Sequence, residues 1–229
     1  MRVCAAMAAL CLVLTGMPLS ASGTDVTVPE SYGEAMRWYE KAAAAGYAPA
    51  QYYLGQMYER GLRGARDYTA AARWYRKAAA QGHVEAQLRL GDLYYRGLGV
   101  LRDPAEAARW YRKAADAGSA EAQYNLALMY DRGRGVERDM KRAAELYEQA
   151  ADGGVVEAWV ALSVLYAGGI GVAADPVKAL MWLKMATAAG VITDPAFREE
   201  LTAGMTADQI AEAKRLAEER LARNPAAQP

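Results

Sequence analysis

The stretch DPAEAARWYRKAADAGSAEAQYNLALMYDRGRGVERD, residues 103–139, decides how this chain folds. It opens on Asp103, with Pro104 next and Glu106 three residues on. Asp at an N-cap, Pro at the first helical position and Glu at the third are all helix-start signals. The helix runs on through Ala107, Ala108, Trp110, Tyr111, Ala114 and Ala115, and Gly118 stops it by letting the chain turn left-handed. A second helix follows, from about Ala120 to Arg132. Its Ala122, Leu126, Met129 and Tyr130 fall at helical spacing and form one apolar stripe. Gly133 ends it, and Arg134-Gly135-Val136 leads across to Asp139, where the pattern begins again.

It begins again every 36 residues. Trp38, Trp74, Trp110 and Trp182 keep that beat, with Leu146 in the one missing place. Gly46, Gly82, Gly118, Gly154 and Gly190 form another column, and so do Ala50, Ala86, Ala122 and Ala158. Leu54, Leu90, Leu126 and Leu162 make a third, Tyr58, Tyr94, Tyr130 and Tyr166 a fourth. Gly61, Gly97, Gly133 and Gly169 precede Asp67, Asp103, Asp139 and Asp175. A period of this length is the signature of a repeat array. One helix pair cannot bury both of its faces, so the units must stack. The expected fold is all-α, an α/α solenoid.

The units differ. The first has Leu62-Arg63-Gly64 where later units continue with Gly-Val. The fourth is apolar through its second helix, with Trp159, Val160, Leu162, Val164, Leu165 and Tyr166. The fifth has only its first helix, from Pro176. The repeats therefore span 31–190, four full and one half, and 191–223 should cap the stack. Asp194-Pro195 starts a short helix there. Thr206 with Gln209 forms a capping box, Met205 with Ile210 a hydrophobic staple, and Ile210, Ala213, Ala217 and Leu221 line one face of the last helix.

The ends read differently. Arg2 is the only charge before Asp25, Val3 to Leu14 is mostly apolar, and Ser20-Ala21-Ser22 supplies small residues for cleavage. That is the layout of a secretory signal over 1–22, with a linker over 23–30. The apolar run is shorter than the roughly 20 residues a membrane span needs. Residues 224–229 are expected to be a disordered tail. Cys4 and Cys11 both lie in the signal, so the exported chain would have no thiol nucleophile, Cys-based zinc site or disulfide. Acidic and basic residues balance at 27 each, and nothing global suggests nucleic acid or an anionic membrane.

Asp103-Pro104, Ala108, Trp110-Tyr111, Lys113-Ala114-Ala115, Gly118, Ala122, Leu126, Tyr130 and Gly133-x-Gly135-Val136 together resemble the Sel1-like repeat, a relative of the tetratricopeptide repeat. The tetratricopeptide repeat proper has a shorter period and lacks the Gly-x-Gly-Val turn. The last helix looks like the closing helix of exported bacterial members. The resemblance implies a right-handed superhelix and an adaptor role in envelope assembly, signalling or host contact. Cysteine-rich members have been described as binding or hydrolysing β-lactams. Their disulfides have no counterpart here.

Candidate chemistry is sparse. His83 is the only histidine and stands where other units carry Tyr47, Ser119 and Val155. It reads as a solvated residue near a helix start, since a general base needs a nucleophile and an orienting partner. Gly169-Ile170-Gly171 mimics a dinucleotide loop, but it follows a helix rather than a strand. One surface pattern stands out. Arg37, Arg73 and Arg109 form one column and Lys41, Lys77 and Lys113 another, four residues on and on the same helix face. Arg76 and Arg112 add to this ridge, and Glu40 and Glu148 oppose it. It reads either as a solvated face suited to the helix dipole or as a dock for an acidic partner. Trp159, where other units have Gln51, Gln87 and Gln123, marks either an exposed patch or a core position covered by the last helix.

The expected function is a non-catalytic adaptor with a protein or peptide partner, monomeric, without cofactor or metal, and periplasmic or secreted. The alternative is a hydrolase or ligand-binding protein for cell-wall or β-lactam-like molecules. It would need convergent polar groups in the groove.

Overall fold

The computed structural model describes residues 32–62 and 64–223. The segments read as signal, linker and tail lie outside these residues. Eleven helices are described: α1 (Tyr32–Ala44), α2 (Ala48–Arg60), α3 (Tyr68–Ala80), α4 (Val84–Arg96), α5 (Pro104–Asp116), α6 (Ala120–Arg132), α7 (Met140–Asp152), α8 (Val156–Gly168), α9 (Pro176–Ala188), α10 (Pro195–Ala203) and α11 (Ala207–Arg223). No strand occurs among the described residues.

The caps explain why the helices start where they do. Asp67, Asp103, Asp139 and Asp175 each accept a backbone N–H from the first turn of the helix that follows, at 2.8 to 3.0 Å. Each such cap is worth about 1 kcal/mol. Glu106 does not close the reciprocal capping box on Asp103. The Asp103 N–H already donates to the Tyr94 carbonyl at 2.9 Å, so the Glu106 carboxylate turns forward to Arg109 instead. The same tie joins Asp139 to Tyr130 and Asp175 to Tyr166, closing each inter-unit loop onto the Tyr column. Thr206 and Gln209 do form their reciprocal box.

From α1 to α10 every helix packs on its chain neighbours, and the second helix of one unit meets the first helix of the next more extensively than its own partner. Ala50, Ala86, Ala122 and Ala158 are fully buried, and Ala50 and Ala86 cluster with the first helix of their own unit. The Leu column is equally dry. Burying each such Leu stabilises by roughly 1.5–3 kcal/mol. The turn after the second helix of the second, third and fourth units owes its shape to two glycines. Gly133 (φ 63°) is a left-handed C-cap. Gly135 (φ 73°) lies so close to Pro104 that an added Cβ would sit 2.3 Å from its carbonyl oxygen. Gly171 in the dinucleotide-like loop is pressed against the Met140 carbonyl in the same way, so helix backbone fills the space where a phosphate would approach.

At the C-terminal end, α11 packs on α9. Leu180, Leu183 and Ala213 are buried there, with Met205 and Ile210 against them as the staple expected. Arg220 adds a clamp: its guanidinium pairs with Asp152 of α7 and stands 4.4 Å over the Trp182 ring.

Candidate functional site

The ridge positions fall on α1 (Arg37, Lys41), α3 (Arg73, Lys77) and α5 (Arg109, Lys113), and all six are exposed. They do not all point freely into solvent. The Lys77 ammonium lies 4.3 Å from the Trp74 ring centroid, and Lys113 lies 4.0 Å from that of Trp110. Exposed contacts of this kind contribute about 0.5–1 kcal/mol. Arg109 pairs with Glu106 at 2.9 Å. Arg76 and Arg112 leave the ridge altogether. Each guanidinium donates to a tyrosine hydroxyl of the second helix in its own unit, Tyr94 and Tyr130, both at 2.8 Å. Where the fourth unit has Glu148, the Tyr166 hydroxyl donates to it instead. A phenol both donates and accepts, so one Tyr column serves both charges.

A second tyrosine column ties neighbouring units together. The Tyr75 hydroxyl donates to Glu59 at 2.5 Å and the Tyr111 hydroxyl to Asp92 at 2.7 Å. Glu59 and Asp92 do not occupy equivalent places. Position 95, equivalent to Glu59, is Tyr95, and the acid appears one turn earlier as Asp92. Asp131, which again holds the first place, faces Tyr147. Burial first, and then the facing carboxylate, pushes the Tyr75 and Tyr111 hydroxyls well above the ordinary phenol range. Burial raises the Asp92 carboxyl too, against the opposing pull of Tyr111 and Arg89. Column-by-column reading misses this pairing because the acid shifts by one turn.

His83 is half-buried rather than solvated. Its Nδ1 stands 3.4 Å from the Ala86 N–H and 3.1 Å from Glu85, and its ring stacks on Tyr52 with centroids 4.7 Å apart. It takes the capping place that Ser119 fills in the next unit. Burial lowers its pKa, and Glu85 partly offsets that. Trp159 is fully buried. The last helix is not its main cover, for α11 packs on α9, while α8 is sandwiched between α7 and α9.

One groove opens where α2, α3 and α4 meet. Gln56, Glu59, Arg60, Arg66, Tyr68 and Arg89 line a volume of about 220 Å³. Among the described residues, no group of three or more His, Cys, Asp and Glu side chains is placed to hold a metal ion. No described helix is long and apolar enough to cross a membrane.

Comparison with curated proteins gives no match. Among solved structures, the chain is similar to a Sel1 repeat protein from Oxalobacter formigenes, with 29% identity, a TM-score of 0.68, and 82% of this chain and 80% of that one covered. It is also similar, at 29% identity and a TM-score of 0.55, to c5321, a protective antigen present in uropathogenic Escherichia coli strains that displays an SLR fold. That match covers 87% of this chain and 51% of the antigen, so the chain spans about half its length. The Sel1 repeat family model matches residues 19–47, 48–83, 84–119, 120–155 and 157–191. The central matches run from the second helix of one pair through the first helix of the next, the pairing with the more extensive contact. Sel1 repeats generally mediate protein–protein interaction. Five matched repeats on an α/α solenoid place the chain in the Sel1 repeat family.

Proposed function

We propose that this protein is a non-catalytic adaptor that holds a protein partner on the exposed faces of its helix stack, and that it works outside the cytoplasm. The observation that carries the adaptor reading is the repetition of Arg73–Lys77 and Arg109–Lys113 at equivalent exposed positions on α3 and α5. A reaction centre needs different groups converging on one point. A docking face needs like groups spread along a line, and an acidic partner suits this one. The side-chain polar groups nearest to a convergent site, Tyr75–Glu59 and Tyr111–Asp92, are engaged in joining units. The export reading rests on the signal-like pattern of residues 1–22. Likeness to a protective antigen supports it, since an antigen must be reachable by antibody.

Affinity capture from the envelope fraction, with the wild type beside Arg73→Glu/Arg109→Glu, tests the adaptor reading. A partner held by the wild type and lost by the variant, with helicity unchanged by circular dichroism, is the expected result. A partner held equally by both removes the ridge. Mass spectrometry of the exported chain should show an N-terminus near residue 23, and an intact Met1 would reject export through cleavage.

A further inference from the structure

The geometry points to a carboxylate-binding groove between the first two units, built from Arg60, Arg66 and Arg89 and suited to an acidic side chain of a partner peptide. This rests on the adaptor reading and adds to it a second place of contact, away from the ridge residues.

The repeat supplies its own comparison. Arg66, Arg102 and Arg138 occupy one column. In the second and third units that arginine is tied down. Arg102 Nε donates to the Tyr95 carbonyl at 3.1 Å and Arg138 Nε to the Asp131 carbonyl at 2.8 Å. Both bonds satisfy carbonyls at the end of a helix, which otherwise lack partners. The first unit lacks the second glycine of the Gly-x-Gly-Val turn, and Arg66 makes no such bond. Its stem lies against Gly61, where an added Cβ would be 3.1 Å from its Cγ. Among the described residues, neither Arg60 nor Arg66 has an ion-pair or hydrogen-bond partner, and both are exposed at the groove wall.

The floor is held in place. Arg89 is fixed 3.5 Å from Asp92. Glu59 is engaged by Tyr75, and the Gln56 amide donates to the Tyr52 hydroxyl at 2.6 Å. Three guanidiniums and one carboxylate line the groove, so it favours an anion. Guanidinium forks bind planar carboxylates through paired hydrogen bonds. The volume of about 220 Å³ suits a single side chain. It falls below the roughly 300 Å³ at which small-molecule pockets begin. Glu59 is held by Tyr75 and Arg89 by Asp92, which leaves Arg60 and Arg66 as the open cations, and the acidic side chain of a partner peptide supplies the carboxylate that suits their forks.

Fluorescence anisotropy of labelled hexaglutamate at low ionic strength tests the assignment, with hexaglutamine as the neutral control. Wild type should bind hexaglutamate saturably and ignore hexaglutamine. Arg60→Gln/Arg66→Gln should weaken binding by about tenfold or more, since each charge-assisted bond is worth at least that factor. Arg102→Gln/Arg138→Gln should bind as wild type does. Acetate should compete at least as well as inorganic phosphate. Unchanged binding in Arg60→Gln/Arg66→Gln overturns the groove, as does the absence of any binding or stronger competition by phosphate. If Arg73→Glu/Arg109→Glu alone abolishes binding, the groove is rejected while the adaptor reading stands.

Discussion

The indole Nε1 of Trp159 lies 3.1 Å from the carbonyl oxygen of Ala151 and donates to it. Gln51, Gln87 and Gln123 make the equivalent bond with their amide nitrogens, to Ala43, Ala79 and Ala115 at 3.1, 3.2 and 3.3 Å. Each of these carbonyls also accepts the N–H of a loop glycine, Gly46, Gly82, Gly118 or Gly154. In each unit the second helix returns eight residues later to give it a second donor, which the two lone pairs of a carbonyl allow. Trp159 keeps this bond and adds a large apolar surface between α7 and α9. Trp159→Ala should therefore cost about 3–5 kcal/mol, and Trp159→Gln, which restores the bond, distinctly less. Urea denaturation gives the difference. Because each unit contacts only its neighbours, amide exchange should rise in α7 to α9 before α1 to α4. Equal losses in both variants would mean that the bond contributes nothing.

Two glycines of one unit should respond differently to alanine. Gly118 has φ 90° and open space around its missing Cβ, so Gly118→Ala meets only the backbone penalty of about 1–2 kcal/mol. Gly135 has φ 73° and the Pro104 carbonyl 2.3 Å from where the Cβ would lie. Backbone cannot yield as a flexible side chain does, so Gly135→Ala should lose clearly more stability than Gly118→Ala. Thermal melts of the two variants rank them. A larger shift for Gly118→Ala would contradict this account of the turn.

These contrasts show what the repeat pattern made legible. Identical columns carry one reason each, so the caps at Asp103 and Asp139, the helix bounds of α6 and the Thr206–Gln209 box can all be read from residue types. Substitution within a column hides the reason. Trp and Gln look unrelated, yet at position 159 they serve the same carbonyl. The acid facing Tyr111 sits one turn away from the acid facing Tyr75, and only packing brings either to its phenol. The ridge is visible as a column of charge, but Lys77 lying over Trp74 and Arg76 held by Tyr94 depend on rotamers. Arg66, Arg102 and Arg138 share a column, yet only Arg102 and Arg138 bond a helix-end carbonyl, a difference that residue type does not carry.

The Tyr111–Asp92 bond should show itself through pH. Asp92 is largely buried and its carboxyl is raised above the ordinary carboxylate range by that burial, while Tyr111 and Arg89 act to lower it. A folded carboxyl pKa above the unfolded value means that the folded chain holds the proton more tightly. The cost of the buried charge is then felt as pH rises and relieved as pH falls through that range. Tyr111→Phe removes a donor to the charged form and raises the carboxyl further. The loss should be about 1–3 kcal/mol at neutral pH, where the carboxylate lacks its partner. It should shrink as pH falls toward the carboxylate range, because protonated Asp92 no longer needs the donor. Chemical denaturation of both proteins across that range gives the difference at each pH. A pH-independent loss would assign the effect to packing alone.

The closing helix is the part of the stack most open to a clean test. Ala213 is fully buried between Leu180 and Leu183 of α9, while Ala211, two residues earlier on the same helix, is exposed. An aspartate at 213 would place an unpaired charge in an apolar seam, a change that costs about 3 kcal/mol or more. The Arg220 contacts with Asp152 and Trp182 lie at the far end of α11, and an exposed ion pair contributes at most about 1 kcal/mol, so they cannot offset it. Ala213→Asp should release α11 and uncover Leu180 and Leu183, an apolar surface that drives self-association. Light scattering should report larger species for Ala213→Asp and the wild-type mass for Ala211→Asp. If Ala213→Asp keeps the wild-type mass and its α9 amides remain protected from exchange, then α11 is not what closes the stack, and the apolar end must be satisfied within α9 and α10.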